Sequence, residues 1–134
     1  MHLHVPVSTA SVVLGFVVLV LSPSHTMSAE KNDRVLRHIV MYKFRDSLTT
    51  AQLQEVIDAF SALPQKIDTI IGFEAGTNTS TEGKSDGLTH VFVVTFANDK
   101  GRDTYLMHPA HLDYVKLARD KREKVVVFDY WAGK

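Results

Sequence analysis

Four histidines and one tyrosine are the residues here best suited to proton chemistry. His38 and His90 interrupt the otherwise apolar runs RHIVMYKF and THVFVVTFA, while His108 and His111 flank a proline in YLMHPAHLDY, with Tyr105 just upstream. Imidazole titrates near neutrality, so four in one small domain suit either proton exchange or metal binding. The metal case is weak. His108 and His111 are spaced i,i+3 across a proline break, and the chain has no cysteine to add a thiolate. Proton exchange or ligand contact requires convergence. His111, Tyr114, Val115 and Ala118 fall at i, i+3, i+4 and i+7, which puts His111 on a largely apolar helix face. If that face meets a sheet face carrying His38 and His90, three imidazoles share one interior, and Tyr105 enters it from the preceding helix. The plainer alternative is that His38 and His90 are buried polar groups paired with Asp129 or with backbone.

The elements that must position these residues alternate strand and helix. Residues 35–44 read as a strand rich in β-branched and aromatic side chains. Thr49 and Gln52 have capping-box spacing, and Leu53, Val56, Ile57 and Phe60 follow on one helical face, with Pro64 closing the helix. Residues 69–76 form a second strand, 77–87 a polar loop and 89–97 a third strand. Asn98 or Asp99 starts a second helix that breaks at Pro109, which suits the first position of a third helix running to about Lys121. Residues 125–131, VVVFDYW, are the last strand. The order is β-α-β-β-α-β with the second α split, which predicts an α+β fold: a four-stranded antiparallel sheet with helices on one face.

Side-chain alternation adds a prediction about assembly. His38, Val40, Tyr42 and Phe44 point one way, and Ile39 and Met41 the other. His90, Phe92, Val94 and Phe96 oppose Val91, Val93 and Thr95. In the last strand Val125, Val127 and Asp129 oppose Val126, Phe128 and Tyr130. Both faces are apolar, and the helices of one chain cover only one. The other would expose more apolar surface than a monomer usually carries, so a two-fold homodimer is expected. Cover by loops or by the N-terminal segment is the alternative.

Composition bounds the rest. The chain has 134 residues, with 15 Lys and Arg against 15 Asp and Glu. That length suits one domain, and zero net charge removes the electrostatic case for nucleic-acid binding. The absence of cysteine excludes disulfides, iron–sulfur clusters and a thiol nucleophile. All the charged side chains lie from Glu30 onward, and residues 12–21 are the apolar run VVLGFVVLVL. Ten residues are too short to span a bilayer as a helix, and small residues follow, so residues 1–29 are expected to be an export signal cleaved after Ala29. The working domain is then residues 30–134, periplasmic or extracellular, with no membrane association after cleavage. An uncleaved anchor formed by residues 12–21 is the alternative.

Taken together, RHIVMYKF, the Thr89-His90 pair opening a strand, YLMHPAH and VVVFDYW resemble the stress-responsive A/B-barrel (Dabb) family across residues 37–131. The resemblance implies a ferredoxin-like subunit whose sheet pairs with a partner's to form a dimeric α+β barrel. One branch of that family is a plant polyketide cyclase, and its acid–base roles fall by resemblance on Tyr105 and His111. His38, His90, His108, Asn78 and Asp129 fall at pocket positions, with Val40, Phe60, Phe73 and Phe92 as apolar lining. In that scheme His111 removes a proton alpha to a carbonyl and Tyr105 hydrogen-bonds the developing enolate oxygen, without metal or cofactor. Asp129 would fix the tautomer of His38. Three functions are compatible with these residues: a homodimer holding a small, partly apolar molecule, a cofactor-free lyase or cyclase, and a purely structural stress protein.

Overall fold

The computed structural model describes residues 34–133, so the expected signal segment and its cleavage point lie outside the described residues. The elements are β1 (Val35–Phe44), α1 (Thr50–Ser61), a 3-10 turn (Leu63–Gln65), β2 (Ile70–Thr77), β3 (His90–Phe96), α2 (Asp99–Met107), α3 (Pro109–Arg119) and β4 (Arg122–Ala132). They form a four-stranded sheet of order β2-β3-β1-β4 in which every neighbouring pair is antiparallel. The fold is the α+β, ferredoxin-like arrangement expected from the element order. The last strand starts three residues earlier than the apolar run predicts. Lys124 pairs with Lys43, and a register shift that skips Glu123 carries the pairing on to Arg122 opposite Phe44, through backbone bonds that need no apolar side chain.

Each helix begins where a side chain supplies the missing acceptor. Thr49 and Gln52 form the reciprocal capping box at α1. Asn98 accepts from the Gly101 amide at α2. At α3 the cap is His108, whose Nδ1 accepts from the Ala110 amide at 3.1 Å, with Pro109 in the first turn.

The core lies between the sheet and the helices. β1 alternates strictly, with Leu36, His38, Val40, Tyr42 and Phe44 buried against the helices. Phe92, Val94 and Phe96 of β3 share that face, and Val56 and Phe60 of α1, Tyr105 of α2, and Tyr114 and Ala118 of α3 close over it. Phe60 is the centre of packing, its ring 4.2 Å from Phe92 and 4.6 Å from Tyr114. Truncating it to alanine would cost about 3–5 kcal/mol. On the opposite face Ile39, Met41, Val91, Val93 and Val126 are half-buried. Phe128 beside them is 59% exposed and Tyr130 42%. The apolar second face expected from strand alternation is therefore present.

Candidate functional site

The site is built where β1, β4 and the two halves of the split helix meet. His38 and Asp129 are direct register partners across β1 and β4, and their side chains meet at 2.6 Å through Nδ1 and Oδ1. The second carboxylate oxygen of Asp129 accepts from Arg102 of α2 at 3.0 Å. Arg102 is steadied in turn by Asp103 at 2.8 Å. A carboxylate can only accept, so His38 carries a proton on Nδ1.

Tyr105 stands beside it. Its ring meets His38 edge-on at 5.7 Å and lies 4.3 Å from His111, with Phe96 behind at 5.2 Å. The residue is 1% exposed, and its hydroxyl hydrogen-bonds to none of the described residues. Among the described residues the only fully enclosed side-chain oxygen or nitrogen without a partner is Thr69 Oγ1, so the Tyr105 hydroxyl keeps contact with accessible space. Burial pushes its ionisation well above the ordinary phenol range, which keeps it a proton donor.

His111 faces Tyr105 from the first turn of α3. Its Nδ1 lies 3.1 Å from the Leu106 carbonyl, an acceptor, so this ring too carries its proton on Nδ1 and leaves Nε2 as a lone pair. Desolvation holds its pKa below the usual imidazole value, opposed by the bond to Leu106 and assisted by the neighbouring His38. A neutral imidazole with an open Nε2 against an un-ionised phenol is an acid–base pair in the correct protonation states.

The structure does not bring all the expected residues together. His90 shares the sheet face of His38, but His38 pairs with Val94 whereas His90 pairs with Tyr42. Four residues of strand, about 13 Å, separate them. Two imidazoles flank Tyr105, not three. His90 packs edge-on to Phe44 at 5.0 Å instead. Asn78 is exposed in the β2–β3 loop, where its side-chain oxygen accepts from the Ser80 amide at 2.9 Å. His108 adjoins the site in sequence but spends Nδ1 on capping α3. Val40, Phe60 and Phe92 are closed core, and Phe73 is partly buried against them.

Two features had little signal in the sequence. The Tyr114 and Tyr42 hydroxyls meet at 3.2 Å inside the core, and burial with mutual repulsion drives the ionisation of Tyr114 far upward. Arg102, the anchor of Asp129, belongs to no motif in the sequence. Among the described residues no cluster of three or more His, Asp or Glu is placed to hold a metal ion. None of the described helices is long and apolar enough to cross a membrane.

A family model, the stress responsive A/B barrel domain, matches residues 36–132. The chain belongs to the Dabb family. Olivetolic acid cyclase of Cannabis sativa is 30% identical to this Dabb chain over 95 residues, covering 71% of the chain and 94% of the cyclase. A crystal structure of an Arabidopsis thaliana protein superposes with a TM-score of 0.70 at 27% identity, covering 74% of this chain and 96% of that one. A Bacteroides fragilis protein, described as dimeric with a ferredoxin-like fold, superposes with a TM-score of 0.58 at 27% identity, over 72% of this chain and 94% of its own.

Proposed function

We propose that this Dabb protein is an exported homodimer that holds a small, partly apolar molecule against Tyr105, between His38 and His111. The observation that carries this is the state of Tyr105: a ring buried on all sides whose hydroxyl has no partner yet remains reachable. The described residues give this hydroxyl no partner, so an oxygen-bearing guest that reaches it meets a donor already fixed in place. The open Nε2 of His111 adds an acceptor beside that donor. The dimer is supported by the apolar second face and by the dimeric Bacteroides fragilis relative. Export is supported by the charge-free, apolar N-terminal segment. Native mass spectrometry of the mature dimer, released under gentle conditions, tests the ligand directly. A small molecule carried by the wild type and lost from Tyr105→Phe is the expected result, and identical bare spectra for both would overturn it.

The neutral His111 imidazole beside the un-ionised Tyr105 favours one further reading, cofactor-free lyase or cyclase chemistry, in line with the kinship to olivetolic acid cyclase. His111 Nε2 takes a proton from the carbon alpha to a carbonyl, and Tyr105 donates to the oxygen on which charge develops. Acetophenone in deuterated buffer reports the step. The wild type should accelerate exchange of its methyl protons and His111→Ala should not; equal rates in the two proteins would eliminate this chemistry.

A further inference from the structure

Arg102 stands one turn before Tyr105 on α2, and its guanidinium reaches the second oxygen of Asp129 at 3.0 Å. The first oxygen of that carboxylate receives the Nδ1 proton of His38 at 2.6 Å. One carboxylate is thus shared between a cation and an imidazole. The rest of the guanidinium is spent on Asp103, at 3.0 Å through Nε and 2.8 Å through Nη2. Asp103 is the weaker counter-charge. Its side chain is 64% exposed against 28% for Asp129, so water screens it more.

Charge balance follows from this arrangement. With Arg102 in place, its pair with Asp129 is neutral, and a second proton on His38 would put a net positive charge on a ring that is almost fully buried. That proton would sit on Nε2, which has no acceptor among the described residues. Without Arg102 the balance reverses. Asp129 would face His38 as a lone anion, and a doubly protonated ring would complete a neutral ion pair with it. The other titratable groups beside His38 do not offset this, because Tyr105 of α2 and His111 of α3 both stay uncharged at neutral pH. The charge on His38 matters beyond its own ring, since a positive His38 opposes proton uptake by His111.

We infer that Arg102 is a positioning residue that holds the site uncharged: it neutralises Asp129, keeps His38 singly protonated, and so makes the site select an uncharged oxygenated guest over a carboxylate of the same shape. The preference among guests rests on the site proposed at Tyr105; the protonation of His38 does not.

Nitrogen-15 NMR of the intact, histidine-labelled protein at pH 7 tests the first step, with the His38 signals identified by their loss in His38→Gln. The wild type should show one protonated and one bare ring nitrogen. Arg102→Gln, which can still donate a hydrogen bond to Asp129 but brings no charge, should show two protonated nitrogens. Arg102→Gln combined with Asp129→Asn, which removes the anion as well, should return to one. A merely structural arginine would not be offset by a second substitution in this way. Acetophenone and benzoate, equal in heavy-atom count, test the second step by titration. The wild type should bind acetophenone more tightly, and Arg102→Gln should move the ratio of affinities about tenfold towards benzoate. A doubly protonated His38 in the wild type, or a singly protonated one in Arg102→Gln, would overturn the inference. An unchanged ratio beside the expected nitrogen pattern would overturn the selection of guests. Binding of neither probe would remove the guest preference together with the site it rests on, while the nitrogen pattern would still decide the role of Arg102.

Discussion

His38 and Asp129 face each other as register partners on adjacent strands, and their side chains close a 2.6 Å hydrogen bond at the wall of the site. Asp129 also holds Arg102, so one carboxylate links β1, β4 and α2. Asp129→Ala strands the Nδ1 proton of a histidine that is only 5% exposed and releases the arginine. An unsatisfied buried donor costs about 1–3 kcal/mol, so the urea midpoint should fall accordingly. Asp129→Asn, which keeps an acceptor oxygen, should lose less. Equal midpoints for all three proteins would show that the bond contributes nothing to the fold.

His108 should prove to be a structural residue of the helix break. Its Nδ1 caps α3, so His108→Ala should cost about 1 kcal/mol, and His108→Asn, a better cap, should restore most of it. Thermal melts read the stability, and the probe that tests Tyr105 reads the site. His108→Asn should bind as wild type does. Loss of binding in that variant would place His108 in direct contact with the guest.

Stability should fall in mild acid. His90 and His111 are both held below the ordinary imidazole pKa by desolvation. Above the unfolded value, near pH 6.5, both states are neutral and these groups contribute no slope. Below it the unfolded chain takes up protons that the native site refuses, so unfolding becomes easier as pH drops until the native rings also titrate. Denaturation midpoints at pH 7.5 and pH 5.5 should therefore differ, and the difference should shrink in His111→Gln. An unchanged difference would assign the acid sensitivity to other groups.

The opposite end of the pH scale tests the tyrosines. Tyr105 and Tyr114 have raised pKa values, chiefly through burial. Their contribution to stability is intact below about pH 10, where the unfolded phenol stays protonated, and is lost as pH climbs above that toward the native values. Phenolate absorbance should rise for these two residues only together with loss of the fold by circular dichroism. Their ionisation in a still-folded protein would mean that both hydroxyls are solvated.

What the sequence revealed followed locality. The capping box at Thr49 and Gln52 and the strict in–out alternation of β1 depend on near neighbours, and both were legible. Alternation also placed His38 and His90 on one face correctly. It could not say how far apart they stand, because parity repeats every two residues while the distance between them depends on the β1–β3 register. The same limit hid the Tyr42–Tyr114 contact, which joins residues 72 apart in sequence, and the Arg102–Asp129 bond, which depends on how α2 lies over β4. His108 was legible as a polar residue before a proline. That its ring would serve as the cap was not, since Ser, Thr, Asp and Asn are the usual choices there.

The apolar second face makes the last prediction. Phe128 and Tyr130 lie on the side of the sheet that the helices leave bare, alongside half-buried Ile39, Val93 and Val126. If a second subunit covers that face, Phe128 passes from 59% exposed to buried, and an aspartate there would have to be desolvated with no cation provided for it. Phe128→Asp should therefore sediment as a monomer at micromolar concentration where the wild type sediments as a dimer. The helix-side core does not involve Phe128, so the monomer should keep its secondary structure by circular dichroism and the ring contact between Tyr105 and His111 by NMR. A wild type that is itself monomeric, or a Phe128→Asp protein that stays dimeric, would move the interface away from this face.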